Sequence, residues 1–178
     1  SFTAGHGIAN VEECFVNRIR TMRPDLEIHA LADNGLETSH EIYFIEEWSR
    51  NGYEFDQIVL VYVLNDISYL IPQWQEASKS IDNMELSFFF QHSYILNVLY
   101  CRRFAAGNSA IADYYSFVRD AYKGQPWKKH KEILTRLKLE LDRYNVDFYV
   151  VTFPFMHDLG QNYRFHDIHE HLGTFWDS

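Results

Sequence analysis

The chain has 178 residues, of which 47% are hydrophobic and 17% aromatic. That composition excludes a disordered chain and gives enough apolar mass for one domain with a real core. The formal net charge of -9, with no sustained basic run, argues against nucleic acid as the main partner. Two cysteines, Cys14 and Cys101, form neither a Cys-x-x-Cys pair nor a zinc spacing, and they read as buried thiols in helices.

The chain opens with Ser1-Phe2-Thr3-Ala4-Gly5-His6-Gly7. A serine followed by small residues, glycines and then a helix presents a hydroxyl beside backbone N–H groups that favour developing negative charge. Asn10 to Met22 follows as a helix, with Val11, Cys14, Phe15, Ile19 and Met22 at helical spacing; Pro24 and Asp25 end it. Leu26 to Leu31 reads as a short strand, and Ala32-Asp33-Asn34-Gly35 as a turn, because Asn-Gly tolerates positive φ. Thr38 or Ser39 is expected to cap a helix that runs to Arg50, where Asn51-Gly52 stops it. Gln57 to Leu64 is the clearest strand, and its apolar run from Ile58 suits a central parallel strand covered on both faces. Helices between strands give the βαβ pattern of a doubly wound sheet.

After Asn65-Asp66 the alternation stops. Residues 67–124 read as a helical insertion placed over the carboxyl ends of the strands, with aromatic-rich helices at Leu86 to Phe104 and Ser109 to Tyr122. Phe88-Phe89-Phe90 raises the question of a membrane. Gln91, His92, Ser93, Asn97 and Arg102-Arg103 interrupt that segment too early for a span of roughly 20 apolar residues. A packed helix, a lid lining an acyl pocket and surface contact with a bilayer remain as its readings. Trp127 to Tyr144 is a long amphipathic helix with Ile133, Leu134, Leu137 and Leu141 as its buried stripe. Its basic face, Lys128, Lys129, Lys131, Arg136 and Lys138, reads as solvated surface. Val146 to Phe153 is a second strong strand, broken by Pro154, and Gln161 to Asp177 is a final helix with an irregular start.

An acyl-transfer site needs a nucleophile, a base and donors for the oxyanion. Ser1 fits three readings: an arbitrary chain start, an N-terminal nucleophile whose own amine is the base, or a nucleophile at the end of a strand. A backbone donor is expected from a glycine turn after a strand, where Gly35 stands; an ordinary turn glycine is the plainer reading. A side-chain amide donor is expected at the end of the next strand, where Asn65 stands; a cap or turn is the plainer reading there. Asp66 reads as structural. The histidines of Phe165-His166-Asp167-Ile168-His169-Glu170-His171 lack the Asp-x-x-His spacing that would make one of them the base. His166, His169 and Glu170 share a helix face and, with His171, leave a metal site open. His6 is a further titrating group near Ser1, with a surface role as its plainer reading.

In order and position, Ser1-Phe2-Thr3-Ala4-Gly5-His6-Gly7, the Gly35 turn and Val63-Leu64-Asn65-Asp66 resemble the successive blocks of the SGNH (GDSL-type) ester hydrolases, bacterial type with a helical insertion. Leu64 departs from the pattern, which favours a small residue there. The resemblance implies a flavodoxin-like three-layer α/β/α sandwich with a parallel sheet. It also implies a single domain over residues 1–178, incomplete at both ends, with its first and last strands and its catalytic Asp-His pair outside the chain. By the same resemblance Ser1 is the nucleophile, and the Ser1 N–H, Gly35 N–H and Asn65 amide form the oxyanion hole. No metal and no organic cofactor is needed. The substrate implied is a small-molecule, glycan or lipid ester. O-acyl transfer on the same fold, and a non-catalytic module binding glycan or protein, are the alternatives.

Overall fold

A computed structural model describes residues 3–177 except 6, 34, 84–87, 158 and 161, and leaves aside the side chains of 82, 89, 109 and 110. Ser1, His6, Asn34, Leu86 and Gln161, which carry expectations above, lie outside the described residues. The chain is a mixed α/β protein made of two compact units, Ser1–Val63 with Ile133–Phe153, and Leu64–Glu132 with Pro154–Ser178.

The first unit holds the sheet. β1 (Gln57–Val63) and β2 (Asp147–Phe153) pair in parallel, from Gln57 opposite Asp147 to Val63 opposite Phe153. Side chains alternate across a strand, so Leu60 and Tyr62 share a face and are buried. Val59, Tyr149 and Val151 point the other way and stay 45–52% exposed. The expected cover on both faces is therefore realised on one. β1 stops at Val63 rather than Leu64, because the chain turns there into a 3₁₀ helix, Leu64–Leu70.

α1 (Phe15–Met22) is shorter than expected, since Val11–Glu13 forms a separate 3₁₀ turn capped by the Asn10 side chain. Cys14 sits between the two as N-cap, buried but outside the helix. α2 (Thr38–Arg50) matches its expected range and buries Thr38, Ile42 and Ile45, spaced by one turn each. Its cap is Glu37 rather than Thr38 or Ser39: the Glu37 side chain and the His40 ring satisfy each other's backbone N–H groups in a capping box. Glu46 of this helix takes hydrogen bonds from Arg50 at 3.2 Å and Arg136 at 3.1 Å. Leu134, Leu137 and Leu141, from the last part of α8 (Gln125–Arg143), complete the core with Val16 and Val146.

The strand expected at Leu26 to Leu31 does not form. A strand exists only through ladder bonds to a neighbour. Here the Ile28 carbonyl accepts instead from the Arg20 guanidinium, at 2.9 and 2.7 Å. Hydrophobic alternation alone could not show that the partner is a side chain.

The second unit is helical, as expected for the insertion. After the 3₁₀ helix come α3 (Pro72–Asp82), α4 (Phe88–His92), α5 (Tyr94–Gly107), α6 (Ser109–Ala112), α7 (Tyr114–Ala121) and the first turns of α8; α9 (His166–Trp176) follows β2. The helix expected over Leu86 to Phe104 is broken at Ser93, whose hydroxyl caps α5 by accepting from the Leu96 N–H at 3.4 Å. The helix expected over Ser109 to Tyr122 is likewise two, with Asp113 between. α3 was not foreseen, although Pro72 at its first position is a start signal. Cys101 is half-buried rather than buried. The core is Leu64, Ile67, Val118, Tyr122, Trp127, Phe165 and Leu172, with His130 fully enclosed.

Candidate functional site

The ends of both strands feed the second unit. β1 runs into Leu64-Asn65-Asp66, and β2 runs through Pro154 into Phe155. In parallel α/β sheets, ligands gather outside the carboxyl ends of the strands. The side chains there are the candidate site.

Leu64 is fully buried, and its carbonyl accepts a hydrogen bond from the Tyr122 hydroxyl at 2.9 Å. That bond pins the backbone immediately before Asn65. Asn65 is half-buried, and its side chain and that of Ser68 lie near enough to the hydroxyl of Tyr114, at the start of α7, to act on its acidity. Burial raises the Tyr114 pKa above its ordinary value, outweighing the opposite influence of Ser68 and Asn65, so the group is a neutral hydroxyl at neutral pH. The Trp74 ring packs on Tyr114 with centroids 4.6 Å apart.

At the end of β2 the Phe155 N–H donates to the Tyr163 oxygen at 3.1 Å, and Tyr163 lies 3.0 Å from Nε2 of His169. Burial lowers the His169 pKa, with help from His166. A neutral imidazole with its proton on Nδ1 accepts a hydrogen bond from the Tyr163 hydroxyl at Nε2, and the other tautomer donates from Nε2 to the same oxygen. Tyr115 joins the two parts: its ring stands 5.1 Å from Phe155 and stacks on His157 at 4.8 Å. Arg119 bonds Asp167 at 2.9 Å, which holds that carboxyl below its usual range.

The residues singled out from the sequence fare unequally. Asn65 stands two residues past the end of β1, inside the 3₁₀ helix. Gly35, in the first unit, has φ +77° and open space where a side chain would sit. Gly5 also has positive φ, at +71°, and packs its Cα against the Cys14 sulfur. Ser1 is outside the described residues. The metal reading of His166, His169, Glu170 and His171 finds no support: His169 is engaged by Tyr163, and the His171 ring stands 5.4 Å from Trp127. Among the described residues no group of three or more metal-binding side chains converges.

Comparison with protein-family models, with curated proteins and with solved structures finds no match to this chain. Tyr114 and Tyr163 were missed because their partners are reached through the fold. A buried tyrosine needs a partner for its hydroxyl, and that was the only signal in the sequence.

Proposed function

We propose that this chain carries the oxyanion side of a serine-dependent hydrolase of carboxylic esters, of the SGNH type. The observation that carries the reading is Asn65, which follows the end of an apolar parallel strand on a backbone pinned by the Tyr122 hydroxyl and lies beside Tyr114. In this reading Ser1 Oγ attacks the ester carbonyl carbon and loses its proton to a base. The carbonyl oxygen, now negative, is met by the Ser1 and Gly35 N–H groups and the Asn65 amide. The alcohol leaves with a proton, and water releases the acid from the acyl-serine. The base is not assigned to a residue of this chain. The substrate class is a small-molecule, glycan or lipid ester, and the domain is a flavodoxin-like three-layer sandwich.

Each oxyanion donor contributes about 3 kcal/mol to the transition state. Asn65→Ala in the full product of the gene should therefore slow hydrolysis of a short-chain aryl acetate by roughly a hundredfold or more, with folding unchanged. Ser1→Ala should abolish it. Wild-type rates in both variants would overturn the reading. An acyl transferase of the same fold would give acylated product when a sugar acceptor is added. The aromatic cluster of Trp74, Tyr114, Tyr115 and Phe155 favours, as a second reading, a non-catalytic module that binds a glycan. Retained glycan binding without hydrolysis would support it.

A further inference from the structure

The outward side of α5 inverts the usual order of a surface helix. Ile95, Leu99 and Arg102 fall at successive turns of one stripe, with Leu96 and Arg103 beside it, and all are exposed. Ile95 is 70% exposed and Leu99 56%, while Tyr94, at the start of the helix, is 85% exposed. Exposed aliphatic side chains scattered singly need no explanation, but a contiguous group does.

The charge around them is equally one-sided. The chain carries 25 acidic residues and a net charge of -9, yet no Asp or Glu occurs between Phe88 and Ala112, where Arg102 and Arg103 are the only Lys or Arg. Neither arginine has a carboxylate partner among the described residues. An anionic surface is repelled by most of this protein and can approach here.

We infer that the exposed face of α5 docks the protein on an anionic lipid bilayer, with the helix lying flat in the interface. Ile95, Leu96 and Leu99 then enter the boundary between headgroups and acyl chains. Arg102 and Arg103, one turn further on, lay their stems along the apolar surface and raise their guanidinium groups to the lipid phosphates. Tyr94 suits the same boundary, apolar at the ring and polar at the hydroxyl. A flat orientation is required, since no helix among the described residues is long and apolar enough to cross a membrane. The inference does not depend on the hydrolase reading.

The test is cosedimentation of the intact protein with phosphatidylcholine vesicles, with and without phosphatidylserine. Binding is expected only with phosphatidylserine, and it should weaken as salt is raised. Arg102→Glu with Arg103→Glu should weaken it by roughly fivefold per arginine or more. Ile95→Asp with Leu99→Asp should remove it. All four positions are exposed, so unchanged thermal unfolding separates loss of docking from loss of fold. Absence of binding by the wild type, or binding that both variants retain, overturns the inference. So does a wild-type dimer in solution that the Ile95→Asp, Leu99→Asp variant makes monomeric, because the face would then be an interface between copies of the chain.

Discussion

The Tyr163 hydroxyl lies 3.0 Å from Nε2 of His169. The Phe155 N–H donates to the same oxygen at 3.1 Å, so one hydroxyl meets both the backbone and the imidazole. The pair thus ties the chain leaving β2 to α9, and it does so with His169 neutral.

His169 should titrate below the ordinary histidine value of 6.5, because burial and the charge of His166 both oppose its protonation. His166→Gln removes the second cause and should raise the midpoint, while leaving it below 6.5. Ring proton shifts followed by NMR between pH 5 and 8 give both values. A midpoint at or above 6.5 in the wild type would contradict this account.

His130 sets a second pH dependence. It is fully enclosed, with Tyr69 and Trp127 against it, and burial lowers its pKa from 6.5 to about 4. Between those values the unfolded chain binds the proton and the folded chain does not. Stability is therefore complete above pH 6.5 and declines as pH falls toward 4, by about 3 kcal/mol when fully developed. Urea unfolding of the wild type and of His130→Gln should diverge in slope across this window, with the variant flatter.

Tyr122→Phe should cost about 1–2 kcal/mol, since it leaves the buried Leu64 carbonyl without that donor. If the proposed function holds, it should also lower turnover through Asn65, with KM little changed. Urea midpoints and steady-state rates read the two effects separately.

Gly5 and Gly7 form a controlled comparison. Both have positive φ, at +71° and +87°, but a Cβ on Gly5 would overlap the Cys14 sulfur, whereas Gly7 faces open space. Gly7→Ala should cost about 1–2 kcal/mol from backbone strain alone. Gly5→Ala should cost that plus a further 1–3 kcal/mol of overpacking. Cys14→Ala in the Gly5→Ala background should recover part of the second cost in a double-mutant cycle. Equal losses at the two glycines would show that the Cys14 contact is not felt.

Local signals carried what was legible in the sequence. Thr38 to Arg50 was readable because apolar spacing and the Asn51-Gly52 stop agree, and β1 because its apolar run is unbroken. Leu26 to Leu31 misled because alternation describes a side-chain pattern, while a strand also needs a neighbour for its backbone. Ser93 cuts a helix that periodicity alone joins, since its hydroxyl takes the Leu96 N–H, while α6 and α7 part at Asp113 without a side-chain cap. At the site, the place of Asn65 followed from the end of β1, and the positive φ of Gly35 from the Asn-Gly turn. The nearness of Tyr114 to Asn65 could not be read, because four α-helices, α3 to α6, intervene before α7 and tertiary packing alone brings the groups together.

β1 and β2 are neighbours in space, but the chain between them is 64–146, including every helix from α3 to α8. On a ribosome β1 emerges long before its only ladder partner among the described residues. Closing so long a loop is slow even where its final cost is modest. The helices of 64–132 contact mainly near neighbours and are free to collapse first, leaving Ile58 to Val63 as an unpaired apolar edge in the nascent chain. Synthesis rate and chaperone supply should therefore govern the yield of this protein more strongly than its final stability does.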